Sequence, residues 1–284
     1  MAKKHPSRSG KKNFASHGAA RGHRGGKTPS PGPRRVRDEK NITANRKRGF
    51  AGGDRPYDYA FYESEPATPE YMARLFAEYS FAVDERQLHL FWLYYDLLRQ
   101  HNASLDLTRI MGIEATVLKH FVDSAMILRW FEPVGPVLDI GSGPGFPGVP
   151  LAIMRPDVPF ILGESRGKRV GFLEEVIKTL KLTNTTIFPK SVREDSPLGD
   201  DYGKPVGDIV TRALETIPPT LERILPFIDA GRRAVFMKGP GCDAEIEEAN
   251  ASFGSVYRLI GDHQYMLPGT DQGRRLVIYE KIPN

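Results

Sequence analysis

The stretch VLDIGSGPGFPGVP (residues 137–150) runs from four residues typical of a buried strand into a loop of glycine and proline. Glycine loses more backbone freedom on folding than any other residue, so four glycines in one short loop indicate that another group approaches the main chain closely. Asp139 stands just before this loop, near the end of the apolar run. The stretch therefore predicts a strand followed by a ligand-binding turn.

Other short apolar runs follow this one, and segments of helical length lie between most of them. Including the run already quoted, the predicted strands are 136–140, 159–164, 185–189, 208–213 and 233–239. Strands that alternate with helices predict an α/β fold with a doubly wound, mostly parallel sheet. Two more apolar runs, 255–267 and 274–282, are joined by the turn LPGTDQGR. They predict a hairpin that adds an antiparallel edge to the sheet.

Three amphipathic patterns precede the first strand and predict helices. One begins after Thr68, which is a capping residue before Pro69. The others begin near Asp84 and near Ile113, and their aromatic stripes indicate a packed core rather than a cofactor site.

Charge divides the chain into a basic N-terminal segment and an acidic body. Residues 1–55 contain 16 Lys and Arg against 3 Asp and Glu, and the remaining residues contain 24 against 32. The segment has few large apolar residues, so we expect a disordered basic tail over 1–55. We expect a single domain over 56–284, with N-terminal helices at 56–130 and the doubly wound α/β core at 131–284.

Three interpretations of the basic tail stay open. It suits a polyanion such as RNA, since neutralising phosphates releases counterions. It is also compatible with a solubilising or cloning-derived tail. An organelle transit peptide fits less well, because the tail lacks an amphipathic apolar face.

Cysteine count and hydropathy narrow the class of protein. The single cysteine, Cys242, excludes an internal disulfide framework and a cysteine-based zinc site. No apolar stretch has the length of a membrane span, and the N-terminus lacks the apolar core of a secretory signal. We expect a cytoplasmic monomer that binds no metal and no membrane.

The spacing of the loop indicates which ligand it holds. A dinucleotide loop needs glycine at 141, 143 and 146, but residue 146 is phenylalanine. An acid at 139 would repel pyrophosphate and suits a ligand with a positive amino group. Glu164 ends the second predicted strand, 19 residues after Gly145, where an acid conventionally binds the ribose hydroxyls. These features together predict S-adenosyl-L-methionine, a nucleoside with a cationic amino-acid arm.

The segments LDIGSGPGFPGVPLAIMRPD and ESRGKRVGFLEEVIKTLKL closely resemble the RsmG family, also called GidB, of bacterial methyltransferases that modify N7 of a guanine in 16S ribosomal RNA. HFVDS (120–124), TRA (211–213) and MKG (237–239) match further family motifs, and the likeness spans roughly residues 85–282. The resemblance implies a Rossmann-like methyltransferase fold, S-adenosyl-L-methionine as cofactor, and 16S rRNA or the small ribosomal subunit as partner.

The chain departs from the family pattern at three places. The usual acid-serine pair LLDS is LGES here, and the family's N-L-T segment has Asp106 in place of asparagine. The family's arginine after the third strand aligns with Ser191, and Arg193 follows two residues later. The last departure bears on substrate or adenine contacts at this edge and leaves the fold prediction unchanged.

The predicted site has a cofactor part and an RNA part. The residues assigned to the cofactor surround the first three strand ends: Asp139, Gly141, Ser142, Gly143, Gly145, Phe146, Pro147, Glu164, Ser165, Val192 and Arg193. The residues assigned to the RNA are the cations near the same opening: Lys168, Arg169, Arg212 and Lys238. His120 has no partner histidine at metal spacing, so we expect it to brace the loop together with Asp123 and Ser124.

Arg212 is the residue to which we assign the catalytic role. Guanine N7 has an in-plane lone pair and no proton, so methyl transfer to it needs positioning and electrostatics rather than a general base. An arginine can donate two hydrogen bonds to the guanine O6 edge or to a phosphate. The structural alternative is an interior arginine paired with Asp139 or Asp208.

Two other functions remain compatible with the sequence. One is an S-adenosylmethionine-dependent enzyme that acts on another RNA or on a protein. The other is a non-catalytic RNA-binding or ribosome-assembly protein that keeps the cofactor fold.

Overall fold

The computed structural model describes residues 65–192 and 206–283, so the basic segment 1–55 and Arg193 lie outside the described residues. The strands are β1 (Val137–Ile140), β2 (Phe160–Gly163), β3 (Thr185–Phe188), β4 (Ile209–Arg212), β5 (Arg233–Lys238), β6 (Tyr257–Met266) and β7 (Gly273–Lys281). The α-helices are α1 (Pro69–Glu78), α2 (Glu85–Leu105), α3 (Ile113–Thr116), α4 (Asp123–Met126), α5 (Gly148–Met154), α6 (Gly167–Leu180), α7 (Ile217–Ile224) and α8 (Asp243–Phe253).

The seven strands form one sheet in the order β3-β2-β1-β4-β5-β7-β6. Strands β1 to β5 pair in parallel, and β7 pairs antiparallel with both β5 and β6. This topology confirms the predicted Rossmann-like sheet with its C-terminal hairpin. The strand order reverses between β1 and β4, so the crevice at their carboxyl ends is the place where ligands bind in such sheets.

The first two helices begin at the residues that the sequence indicates. Thr68 Oγ1 accepts a hydrogen bond from the Tyr71 N–H at 3.1 Å. Asp84 and Gln87 form a reciprocal capping box at the start of α2. Side-chain caps of this kind satisfy N–H groups that have no partner in the first helical turn.

The third predicted helix is irregular. Between α3 and α4 the chain forms a π-helix, Val117–Val122, and a 3-10 turn, Ile127–Arg129, follows α4. We call residues 113–129 the α3–α4 segment. A π-helix has a wider turn than an α-helix, and it frequently occurs at functional sites.

The two faces of the sheet are covered by different helices. Helices α1, α2, α5 and α6 and the α3–α4 segment contribute to one hydrophobic cluster, and α7 and α8 contribute to a second. The N-terminal helices therefore pack beside α5, the helix that follows the glycine loop. This packing brings residues from α2 and the α3–α4 segment to the carboxyl ends of β1 and β4.

Candidate functional site

The loop between β1 and α5 has a backbone that side chains would strain. Gly141, Gly143 and Gly145 all have positive φ angles, of +73°, +58° and +112°. A Cβ atom on Gly145 would lie 2.6 Å from the hydroxyl of Tyr94, whereas one on Gly143 would have nothing nearer than Arg169 Nη1 at 3.6 Å. The loop is thus packed against the protein at Gly145 and open at Gly143, where a ligand can approach the main chain.

Asp139 lies beneath this loop and is completely buried. Its Oδ2 accepts a hydrogen bond from the Gly148 N–H at 2.8 Å, while its Oδ1 has no hydrogen-bond partner among the described residues. Burial raises the pKa of Asp139 to about 7, although the bond from Gly148 opposes the shift. A buried carboxylate oxygen without a partner is costly, so this atom favours a cationic or hydrogen-bonding ligand.

Glu164, the residue after β2, provides a second carboxylate at the same end of the sheet. Its Oε1 accepts a hydrogen bond from the Arg166 N–H at 2.8 Å, and its Oε2 lies 3.6 Å from Arg169 Nη1. The N–H groups of Gly141 and Ser142 donate to the carbonyl of Gly163 and so join the glycine loop to the end of β2. The structure therefore brings both predicted acids to one edge of the sheet.

Arg212 ends β4 and is held by several groups of the α3–α4 segment. Its Nη1 donates to the Lys119 carbonyl at 3.1 Å and to Ser124 Oγ at 3.4 Å, and it lies 3.6 Å from Asp123 Oδ2. Its Nη2 is 3.0 Å from His120 Nδ1. The structural alternative named Asp139 and Asp208 as its partners, but the ion pair of Arg212 is with Asp123.

The state of His120 follows from its two contacts. Arginine can only donate, so Nδ1 accepts from Arg212, and Nε2–H donates to Thr108 Oγ1 at 2.9 Å. Burial, with Arg212 adding to it, lowers the pKa of His120 well below its usual range. The imidazole is therefore neutral. The sequence predicted that His120 braces the glycine loop, whereas its hydrogen bonds in the structure are to Arg212 and Thr108.

Phe146 lies beneath Arg212. Its ring stacks on His120 with centroids 4.2 Å apart, and the guanidinium carbon of Arg212 lies 5.0 Å from its centroid. Pro147 is the residue before α5. These positions connect the glycine loop to the arginine, and the predicted cofactor contacts of both residues stay predictions.

A cavity of about 380 Å³ opens in front of Arg212. The α3–α4 segment and the carboxyl ends of β4 and β5 form its walls together with the β6–β7 turn. The charged residues among its lining are Lys119, Asp123, Arg212, Lys238 and Arg274. Its size and its excess of cations suit a nucleotide.

Sequence comparison shows the family of this chain. The family model described as GidB, rRNA small subunit methyltransferase G, matches residues 87–266. The chain belongs to this family. It is 40% identical over 191 residues to ribosomal RNA small subunit methyltransferase G 2 of Bdellovibrio bacteriovorus, covering 67% of this chain and 72% of that protein.

Two further relatives differ in how much of their length is matched. The methyltransferase G 2 of Syntrophobacter fumaroxidans is 39% identical over 214 residues, which cover 75% of this chain and only 42% of that protein. The methyltransferase G of Carboxydothermus hydrogenoformans is 34% identical over 215 residues, which cover 74% of this chain and 89% of that protein.

The other predicted site residues of this methyltransferase G family member differ in burial and in their contacts. Val192 is buried after β3, and its Cγ2 lies 3.4 Å from the Cβ position of Gly163. Ser142 Oγ donates to the Asp139 carbonyl at 3.0 Å. Ser165 and Lys168 are exposed. Their contacts with cofactor or RNA stay predictions.

Lys238 lines the cavity but has protein partners. Its ammonium donates to the Glu215 carbonyl at 2.8 Å and pairs with Glu245 Oε2 at 2.7 Å. Glu245 Oε2 also accepts from the Ile217 N–H at 2.9 Å. The lysine therefore joins the end of β5 to the β4–α7 loop, and its predicted phosphate contact stays a prediction.

Sequence reasoning missed two residues of the site. Tyr94 of α2 donates from its hydroxyl to the Pro144 carbonyl in the glycine loop at 2.6 Å. Arg274 Nε donates to Asp123 Oδ2 at 3.2 Å. Neither is marked by a motif, and only the aromatic stripe of α2 and the paired arginines of the last hairpin could have drawn attention to them.

Within residues 65–192 and 206–283, no group of three or more His, Cys, Asp or Glu is placed to hold a metal ion. No helix in these ranges has the length and apolar character needed to cross a membrane.

Proposed function

We propose that the protein methylates N7 of a guanine in the 16S ribosomal RNA of the small subunit, with S-adenosylmethionine as methyl donor. Membership of the methyltransferase G family supports the proposal. The observation that carries it is the position of Arg212, whose guanidinium is held between Phe146 of the glycine loop and the cavity.

The residues at the ends of β1 and β2 fit this cofactor. The buried Oδ1 of Asp139 suits the cationic amino-acid arm, and the open side of Gly143 permits close approach to the main chain. Glu164 would accept hydrogen bonds from the ribose hydroxyls. When bound, the cofactor supplies a methyl group on a positively charged sulfur, and the C–N bond forms as the C–S bond breaks with its electron pair left on sulfur.

No residue needs to remove a proton in this reaction, because guanine N7 has none. The imidazole of His120 would be the natural base beside Arg212, but its Nδ1 lone pair already accepts from the arginine. The task of Arg212 is then to donate to the O6 edge of the base and hold N7 in line with the methyl group. Methylation of an exocyclic amine, by contrast, would require a group that accepts a proton.

We also propose that two parts of the chain have different roles. Residues 56–284 form the methyltransferase domain, with helices at 56–130 and the core at 131–284, and the basic segment 1–55 binds RNA phosphates. The enzyme acts as a cytoplasmic monomer on rRNA or the small subunit. Removing residues 1–55 should weaken RNA affinity and flatten its salt dependence while cofactor affinity persists, and an unchanged salt slope would contradict the role of the segment.

Transfer of labelled methyl groups tests the proposed function. The substrates are small-subunit RNA and particles from a strain that lacks the modification, and borohydride and aniline cleavage maps N7-methylguanine. A single cleavage site supports the proposal. Cofactor binding without transfer would favour another substrate or a non-catalytic role.

A further inference from the structure

The cavity contains a carboxylate, Asp123, whose part in the site described so far is its ion pair with Arg212. Among the described residues that line the cavity, Asp123 is the acidic one. A carboxylate repels phosphate, so a site that bound only the RNA backbone would bind it more tightly with a neutral side chain at this position. Asp123 balances the charge of Arg212 and Arg274, and its place in the cavity lining also makes it available to a ligand group that donates hydrogen bonds.

The contacts of Asp123 leave it able to accept more hydrogen bonds. Its Oδ1 accepts from the Tyr265 hydroxyl at 3.3 Å, and its Oδ2 accepts from Arg274 Nε at 3.2 Å and lies 3.6 Å from Arg212 Nη1. Both hydrogen-bond distances exceed those of strong bonds to a carboxylate, about 2.7–2.9 Å for nitrogen donors and shorter for hydroxyls. Each carboxylate oxygen has two lone pairs, so Asp123 can accept further N–H donors.

The order of groups along the cavity matches the rim of guanine. Arg212 lies between the glycine loop, where it covers the ring of Phe146, and Asp123. Around guanine, the N7 and O6 acceptors are followed by the N1–H and N2 amino donors. If N7 is directed toward the glycine loop, O6 faces the donors of Arg212, and the N1 and N2 donors face Asp123.

We propose that Asp123 determines base specificity by accepting hydrogen bonds from N1–H and the N2 amino group of the target guanine. The proposal rests on the proposed function and names how that site recognises its base. Adenine reverses the pattern, because its N6 amino group would face Arg212 and its N1 lone pair would face the carboxylate. Both contacts would then be repulsive.

The same contact should assist transfer as well as recognition. Methylation at N7 places positive charge on the purine, so N1–H and the N2 amino group become stronger donors as the methyl group arrives. A carboxylate that accepts from them interacts more strongly in the transition state than in the ground state. Loss of the contact should therefore lower kcat, with a smaller effect on KM.

The test uses full-length protein and small-subunit RNA ligated to contain guanosine or inosine at the methylated position. Inosine keeps N7, O6 and N1–H but lacks the N2 amino group. For the wild-type protein, kcat/KM on inosine should be at least about tenfold lower, which corresponds to about 1.4 kcal/mol. In Asp123→Asn the guanosine rate should fall, and the guanosine-to-inosine ratio should shrink toward one, because the amide cannot accept from both donors.

Two controls separate recognition from folding. Asp123→Asn should bind S-adenosylmethionine with wild-type affinity by calorimetry. Tyr265→Phe removes a donor to the same carboxylate but no acceptor for the base, so its guanosine-to-inosine ratio should stay at the wild-type value. If Asp123→Asn does not fold, equal wild-type rates on guanosine and inosine still overturn the proposal.

The outcomes distinguish this inference from the proposed function. Equal wild-type rates on guanosine and inosine would overturn the role of Asp123 and leave N7 methylation intact. A slower Asp123→Asn with an unchanged ratio would also overturn it, since a purely structural role lowers both rates alike. If the wild-type protein transfers no methyl group to guanosine, the proposed function itself fails.

Discussion

His120 Nδ1 and Arg212 Nη2 lie 3.0 Å apart, and the histidine is the acceptor. The π-helix places this ring and the Lys119 carbonyl on the same guanidinium. The arginine is thereby oriented before any substrate arrives, which reduces the entropy that substrate binding must offset.

Replacing His120 with phenylalanine should slow methyl transfer without weakening cofactor binding. His120→Phe keeps a ring against Phe146 but removes the acceptor for Arg212, and losing a hydrogen bond to a charged group costs about 1.5–3 kcal/mol. We expect kcat/KM for RNA to fall at least about tenfold. The control is His263→Phe, which replaces a half-buried histidine that stacks on Trp130. Equal kcat/KM values for the two variants would contradict the role of His120 in orienting Arg212.

Cofactor affinity should depend on the ionisation of Asp139. Burial raises the pKa of Asp139 to about 7, so the carboxyl is mostly protonated below that pH and must lose its proton to bind a cationic arm. Affinity should therefore rise with pH toward about 7, by up to about tenfold per unit, and level off above it.

Calorimetry in two buffers of different ionisation enthalpy measures the proton released on binding. Wild-type protein at pH 6 should release close to one proton at this site, and Asp139→Asn should release none from it. Identical proton release by the two proteins would rule out Asp139 as the titrating group.

The hydroxyl of Tyr94 should support the cofactor loop. Tyr94→Phe removes the bond to the Pro144 carbonyl and leaves the stacked ring in place, so we expect cofactor affinity to fall about 5–10-fold, in line with about 1–1.5 kcal/mol for one hydrogen bond. Tyr95→Phe is a matched control on the same helix, because the Tyr95 hydroxyl accepts from Arg99 instead. Cofactor affinities that are equal in both variants would show that the loop keeps its shape without Tyr94.

Alanine at two glycines should have opposite effects on stability. Gly145 has a φ of +112° and its Cβ would lie 2.6 Å from Tyr94 Oη and 2.7 Å from Val149 Cγ2, so Gly145→Ala should lower the free energy of unfolding by about 2 kcal/mol or more. Gly171, inside α6, has nothing within 4 Å of its Cβ position. Gly171→Ala should raise the free energy of unfolding by about 0.5–1 kcal/mol, measured by urea unfolding. A Gly145→Ala variant as stable as the wild type would show that the loop tolerates rearrangement.

The fold was predictable because its signals are local. Short apolar runs mark the parallel strands, and Thr68 and Asp84 mark helix starts with side chains that cap the next turn. Asp139, the glycines and Glu164 could be placed together because parallel strands end at one edge of the sheet. Each of these inferences needs only a few consecutive residues and a rule of topology.

The rest of the site depends on contacts between distant parts of the chain. Tyr94 reaches Pro144 across 50 positions, and Arg274 reaches Asp123 across 151. The π-helix changes which side chains of 117–122 share a face, so helical periodicity could not place His120 and Lys119 around Arg212. Lys238 has the sequence context of a phosphate ligand, yet Glu245 provides its counter-charge through folding.

In the proposed function, Arg212 positions a guanine for transfer to N7 without taking part in cofactor binding. The most direct measurement is labelled methyl transfer by wild-type protein and Arg212→Ala, with N7-specific mapping of the product and calorimetry of cofactor binding on the same preparations. We expect the wild type to produce one N7-methylguanine and Arg212→Ala to transfer at least about a hundredfold more slowly, with similar cofactor affinity in both. Transfer by Arg212→Ala at the wild-type rate, or a product modified elsewhere than N7, would rule out this role of Arg212.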